Sequence, residues 1–287
     1  LATKLKKGLF IFTGEFGYEI LSFQGIIRQH RNKFDLLYVC SYKESKIFYL
    51  DFVDEFIEIP QNILTKIDRS DSVNTLTELE LNEFILPFQQ SGFEVYHRKK
   101  YYPNYPLDMQ LDLTGEFGKY ITLNTQKNTG QKIITFFPRH HNTHSHRNYS
   151  IENFKVFFNL IRNKFVNYKF NIVVFENDYY GDKSEFNIPG TNLIKNPTIV
   201  EQLNLQASSE FVVYNHSGSV FLNIMNSEKT PVFIYGISSD QDKYPGHNIF
   251  ERLGIYYNYV CETDNVSDIE PAKLFKKLIQ FYDTIRK

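Results

Sequence analysis

Short apolar runs alternate with amphipathic segments along most of this chain, and that alternation is what most restricts its fold. "GLFIFTG" (Gly8–Gly14), "FDLLYVC" (Phe34–Cys40) and "FIEIP" (Phe56–Pro60) have no polar face. They read as strands covered on both sides, the mark of a parallel sheet. Between the first two lies "YEILSFQGIIRQHR", with Ile20, Phe23, Ile26 and Ile27 on one helical face. A polar linker follows at Thr122–Lys132, and the alternation then restarts. "KIITFFP", "KFNIVVF" (Lys169–Phe175), "TNLIK", "EFVVY" and "PVFIY" are strands; "SIENFKVFFNLIRNKF", "TIVEQLNLQA" and "SVFLNIMNS" are helices. The first of these helices carries Ile151, Phe154, Phe157, Phe158, Ile161 and Phe165 on one face, with Ser150 as N-cap. "EPAKLFKKLIQFYDTIRK" closes the chain as an amphipathic helix with Pro271 in its first turn. The expected fold class is α/β, with two Rossmann-like domains facing a cleft: residues 1–125 and 126–287, the last helix packing back on the first domain. Residues 61–125 give no clear element order beyond a helix at "TELELNEFILPFQQ" and a loop at "RKKYYPNYP".

Composition excludes several classes. The formal net charge of −1 provides no global field toward nucleic acid or anionic lipid. No apolar run approaches the ~18 residues of a membrane span. Cys40 and Cys261 form neither a CxxC pair nor a disulfide framework, which fits a reducing compartment. The expected location is cytoplasmic. The basic, aromatic Tyr96–Tyr105 reads as a solvated loop or a peripheral contact with an anionic acceptor or membrane surface. With 27 Phe, 20 Tyr and no Trp, aromatics are read as core filler.

In open α/β sheets ligands sit beyond the carboxyl ends of the strands, so the chemistry is sought in those loops. "NHSGS" (Asn215–Ser219) lies between a strand end and a helix start. Unpaired amides at a helix start favour an anion; Gly218 removes side-chain bulk, while Ser217 and Ser219 add hydroxyl donors. A plain Ser cap with a Gly turn would give the same pattern without a ligand. "PRHHNTHSHRNYS" supplies Arg139, Arg147, His140, His141, His144 and His146 after another strand. Arginine suits a diphosphate, being permanently charged and bidentate. Zinc is the rival reading, although HHxxHxH matches no established ligand spacing. Asp240 and Asp242 form a D-x-D that reads as a solvated turn rather than a metal site. Glu15 and Glu19 flank the first loop, where an acid would accept a proton from a hydroxyl. Gly14-x-x-Gly17 lacks the full dinucleotide fingerprint, which argues against NAD.

"TIVEQLNLQASSEFVVYNHSGSVFLNIMNSEKTPVFIYG" resembles the nucleotide-sugar-binding domain of GT-B glycosyltransferases, and in particular of the ADP-heptose:lipopolysaccharide heptosyltransferase family (glycosyltransferase family 9). Ser217-Gly218 and Pro231–Gly236 fall in the matching places, but His216 stands where the family has Asp. "GYEILSFQGIIRQHR" resembles the family's acidic segment, with Glu19 on the acidic position, Gly25 on a Pro and Arg28 near an Arg. The resemblance implies an inverting glycosyltransferase of hexosyl or heptosyl type, with no cofactor and no metal requirement. It also implies Glu19, ahead of Glu15, as the base. The donor would be a nucleotide-diphosphate sugar bound by Arg139, Asn215, His216, Ser217, Gly218 and Ser219, and the acceptor a glycan, a lipid-linked sugar or a protein. Gly17, His140, Arg147 and Glu176 are further candidate contacts for donor or acceptor. The departure at His216 keeps a non-catalytic nucleotide- or sugar-binding protein open, as does an epimerase or hydrolase of the same fold.

Overall fold

A computed structural model describes residues 5–67, 75–97, 119–125, 130–141, 144–176, 183–238 and 246–287. The chain divides into two compact units, Leu1–Ile121 and Thr122–Lys287.

The first unit holds a four-stranded parallel sheet in the order β3-β2-β1-β4. Its strands are β1 (Lys7–Ile11), β2 (Leu36–Ser41), β3 (Glu55–Glu58) and β4 (Phe93–His97). The first three fall on the predicted runs. β4 was not anticipated, because "FEVYH" follows a region without readable order. The segment after β1 is α1 (Phe16–Tyr18), a π-helical turn (Glu19–Phe23) and α2 (Gln24–Gln29). Ile20, Phe23, Ile26 and Ile27 are all buried, as their spacing predicts. After α3 (Gln61–Leu64), α4 (Glu78–Gln90) starts with a capping box. The Glu80 amide donates to Thr77 Oγ1 (3.3 Å) and the Thr77 amide to the Glu80 carboxylate (3.0 Å). The predicted loop "RKKYYPNYP" lies outside the described residues.

The second unit is a six-stranded, all-parallel sheet in the order β10-β9-β8-β5-β6-β7. These are β5 (Ile133–Phe137), β6 (Lys169–Val174), β7 (Asn192–Lys195), β8 (Phe211–Asn215), β9 (Val232–Tyr235) and β10 (Tyr257–Val260). The central strands β5 and β8 are buried at every position, which is why they read as unbroken apolar runs. α5 (Ile151–Lys164) buries its predicted apolar stripe against the sheet, and Ser150 caps it by accepting the Asn153 amide (3.2 Å). Phe136, Phe158 and Phe170 pack edge to face there. Truncating such a side chain to alanine costs about 3–5 kcal/mol. α6 (Ile199–Ala207) carries a second capping box, Thr198 with Glu201. "SVFLNIMNS" folds as a 3₁₀ segment, Gly218–Met225, rather than an α-helix. α7 (Gly246–Arg252) precedes β10.

The last helix, α8 (Pro271–Ile285), places Leu274, Leu278 and Phe281 in the core of the second unit, beside α5. The boundary falls at Ile121/Thr122, earlier than expected, because the start of the linker is docked. The Leu123 amide donates to Met225 O (2.8 Å), and Thr125 Oγ1 donates to Asn226 Oδ1 (2.9 Å). Tyr120, just before it, donates its hydroxyl to Leu21 O (2.6 Å) in the first unit.

Candidate active site

The second sheet reverses its winding between β5 and β8. The chain runs outward through β5, β6 and β7, then returns to the other side of β5 and runs outward through β8, β9 and β10. Such a reversal opens a crevice at the carboxyl ends of the two central strands, where this class of sheet binds ligands. The two loops singled out in the sequence, after Phe137 and after Tyr214, leave the sheet at that point; Phe137 and Tyr214 pair in register, with rings stacked at 4.3 Å.

Asn215 ties the loops together. Its Oδ1 accepts the Tyr149 amide (3.1 Å), and its Nδ2 donates to Arg147 O (3.1 Å) and Tyr235 O (3.4 Å). The side chain is buried and all of these bonds are internal, so Asn215 builds the site. Asn148 closes the basic loop from within. It donates to His141 O (2.7 Å) and accepts from the His141 amide (3.0 Å) and from Arg139 Nη1 (3.4 Å). Ser267 pins the base of the loop, donating its hydroxyl to Asn148 O and accepting the Ser150 amide, each at 3.0 Å. His144 adopts a left-handed backbone (φ 53°), a strain of order 1 kcal/mol for a residue with a side chain.

The loop is strongly cationic. Arg139 and Arg147 are half-buried, and Lys183, which the sequence reading missed, is buried. Burial pushes His141 down to about 3, assisted by the charges of Arg139, Lys183, His144 and His140. His140 is lowered by burial and by Lys183, partly opposed by Glu185. His144 is lowered by desolvation, Arg147, Arg139 and His146. At neutral pH these imidazoles are therefore uncharged, while two guanidinium groups and an ammonium supply the positive field. Among the described residues, no group of three or more His, Cys, Asp or Glu could hold a metal ion. Asp240 and Asp242 lie outside the described residues.

Beside this loop, through the Asn215 contacts, runs the Asn215–Ser219 loop. Ser217 is extended (φ −152°), and its hydroxyl pairs with that of Ser219 (2.9 Å). The Val220 amide donates to Ser217 O (3.2 Å), so the amides of Gly218 and Ser219 precede the first helical bond. His216 is buried, with Nδ1 3.2 Å from the hydroxyl of Tyr259, which lies on the unanticipated β10. Glu176 follows the end of β6 and pairs with Lys195 (2.8 Å), one strand away from the crevice.

In the first unit the winding reverses between β1 and β4, and the loop after β1 carries Glu15 and Gly17. The two carboxylates singled out there differ sharply. Glu19 is fully buried; its carboxylate accepts hydroxyls from Ser41, Ser45 (2.6 Å) and Tyr49 (2.9 Å). Glu15 is half-buried at the mouth of the helix, where its carbonyl accepts the amides of Tyr18 (3.1 Å) and Glu19 (3.2 Å). Gly17 is buried in α1. Arg28 is held inside the unit by Phe48 O (2.8 Å) and Asp51 and stacks over Phe52 (4.2 Å).

No family model matches the chain, and no curated protein is similar to it in sequence. Solved structures are similar. A glycosyl transferase family 9 protein from Veillonella parvula superposes with a TM-score of 0.64 at 10% identity, covering 99% of this chain and 100% of that one. The dodecameric iron-containing heptosyltransferase TibC, solved with ADP-D-β-D-heptose, gives 0.59 at 11% identity over 99% and 78%. The fold is that of a GT-B glycosyltransferase. A putative UDP-N-acetylglucosamine 2-epimerase from Listeria monocytogenes gives a TM-score of 0.52 at 10% identity, covering 99% of this chain and 89% of that one. The GT-B fold thus fixes the scaffold on which the loops stand, while the chemistry has to be argued from the loops themselves. Among the described residues, no helix of this GT-B chain is long and apolar enough to cross a membrane.

Proposed function

We propose that the protein is an inverting glycosyltransferase that moves a sugar from a nucleotide-diphosphate donor to an acceptor hydroxyl. The observation that carries this reading is the meeting, at the β5/β8 reversal, of a cationic loop and a helix start with leading amides, held together by Asn215. A diphosphate fits both halves. Arg139, Arg147 and Lys183 match its charge, while the amides of Gly218 and Ser219 and the hydroxyl of Ser217 match its oxygens.

In the reaction, the acceptor oxygen bonds to the anomeric carbon as the bond from that carbon to the diphosphate breaks. The electron pair leaves on the diphosphate, and the acceptor proton passes to a carboxylate. Positive groups already in place stabilise the charge that grows on the leaving group; removing one such donor typically costs 10²–10³-fold in rate. We assign the base to Glu15, because Glu19 is fully buried and already accepts three hydroxyls. These cationic side chains take the role a metal would otherwise fill, so we propose a metal-independent reaction.

The test is a panel of nucleoside diphosphates and nucleotide sugars, read by thermal shift and by donor turnover with and without hydroxyl acceptors. One nucleotide family should stabilise the protein, Arg139→Ala should remove most of that stabilisation, and a chelator should leave turnover unchanged. If no nucleotide stabilises the wild type, the reading is wrong. Donor consumption that no acceptor accelerates would favour an epimerase or hydrolase.

A further inference from the structure

The 3₁₀ segment Gly218–Met225 is tied at both ends. Its eight residues are long for this geometry, in which runs beyond three or four are uncommon because the hydrogen bonds are poorly aligned. At its start the Val220 amide is spent on Ser217 O (3.2 Å), so the first turn presents two leading amides, those of Gly218 and Ser219. At its end the linker is docked. The Leu123 amide donates to Met225 O (2.8 Å), the Ser227 amide to Leu123 O (3.3 Å), and Thr125 Oγ1 to Asn226 Oδ1 (2.9 Å). Buried polar groups run alongside from one end to the other. Asn226 Nδ2 donates to Thr230 Oγ1 (3.1 Å), Thr230 Oγ1 to Gln206 O (2.9 Å), Gln206 Nε2 to the Tyr214 hydroxyl (2.6 Å), and that hydroxyl to Ser219 O (3.4 Å).

An α-helical first turn would differ by one donor. The Ser217 carbonyl would then accept from Phe221, four residues on, and the Val220 amide would join those of Gly218 and Ser219. An anion binds a turn with three such amides more tightly than one with two, and a ligand shifts an equilibrium by that difference. The α form also rises about 1.5 Å per residue against about 2.0 Å in the 3₁₀ form. The segment starts from the end of β8, which is fixed by the Asn215 side chain and by the His216 amide on Tyr235 O (2.9 Å). The shortening therefore falls on Met225 and Asn226, where the linker is held. Building on the proposed diphosphate site, we infer that the segment is a two-state element. A diphosphate draws its first turn into α geometry, recruits the Val220 amide as a third donor, and loosens the docked linker at Leu123–Thr125. Thr122 opens the second unit, so occupancy of the site is felt in the chain that enters it.

Titration with inorganic pyrophosphate tests this in three ways. In ¹H–¹⁵N spectra of the wild type, the amides of Gly218, Ser219 and Val220 should all move downfield as each takes a charge-assisted bond. Hydrogen exchange, read by mass spectrometry, should quicken about three- to tenfold at residues 121–125 on saturation. By reciprocity, weakening the dock should help the ligand. Thr125→Val, which removes the hydroxyl and its bond to Asn226, should bind pyrophosphate about two- to fivefold more tightly than the wild type. A thermal melt establishes that this variant is folded; if it is not, the first two readings, made on the wild type, decide. A Val220 amide that stays put while Gly218 and Ser219 shift, unchanged or slower exchange at the linker, or equal or weaker binding by folded Thr125→Val overturns the inference and leaves the transferase reading standing. Absence of pyrophosphate and nucleotide binding by the wild type overturns the transferase reading, and the two-state element with it.

Discussion

At the residue scale, chemistry separates side chains that sequence treats alike. Glu15 and Glu19 have the same functional group and lie one helical turn apart, yet one is half-buried and the other fully enclosed. Glu19→Gln would leave Ser41, Ser45 and Tyr49 facing an amide, half of which is itself a donor. The expected outcome is a loss of stability of about 1–3 kcal/mol. Glu15→Gln should remove transfer, with nucleotide affinity retained. Full turnover by Glu15→Gln would exclude it as the base. His141 makes a second prediction. Its pKa is about 3 in the folded protein against about 6.5 in an unfolded chain. Between these values the unfolded state binds more protons, so stability falls as pH drops from about 6.5 toward 3. His140 and His144 act in the same direction. Melting temperature against pH should decline over that window, and His141→Gln should make the decline shallower.

At the scale of elements, the site depends on two loops held by one amide. Asn215→Ala would leave the buried Tyr149 amide without its acceptor, at a cost of about 1–3 kcal/mol, and would unpin Arg147 O. Nucleotide affinity should fall more than the drop in melting temperature alone implies; unchanged affinity would mean that the loops are positioned by other contacts. The apolar runs made most of this framework readable. β5, β6, β8 and β9, and the face of α5, follow from unbroken hydrophobicity and 3.6-residue spacing. β4 and β10 were missed because both are edge strands, and partly covered strands carry polar and aromatic residues such as Glu94, Tyr257 and Asn258 in place of an unbroken apolar run. Gly218–Met225 is helical as expected, but as a 3₁₀ segment: every residue from Ser219 to Met225 is buried, so no polar face in the sequence marks its period. Arg139 and the Ser-Gly-Ser turn were visible because strand-end loops are few. Lys183, Asn148 and Tyr259 were not: their roles come from long-range packing that no local pattern records.

At the scale of the whole molecule, two parallel sheets each reverse their winding once. The reversal in the first unit carries a half-buried carboxylate, while that in the second carries cations and leading amides. A proton acceptor and an anion site are the two requirements of sugar transfer from a diphosphate. The formal net charge of −1 is consistent with this, since the positive field is local to one loop. The most direct test is a crystal structure with a bound nucleoside diphosphate, soaked in turn with ADP, UDP and GDP. The account predicts phosphate oxygens within hydrogen-bonding distance of the Gly218 and Ser219 amides, with Arg139 on the opposite side. A nucleotide seated elsewhere, with the amides after Ser217 covered by protein, would contradict it.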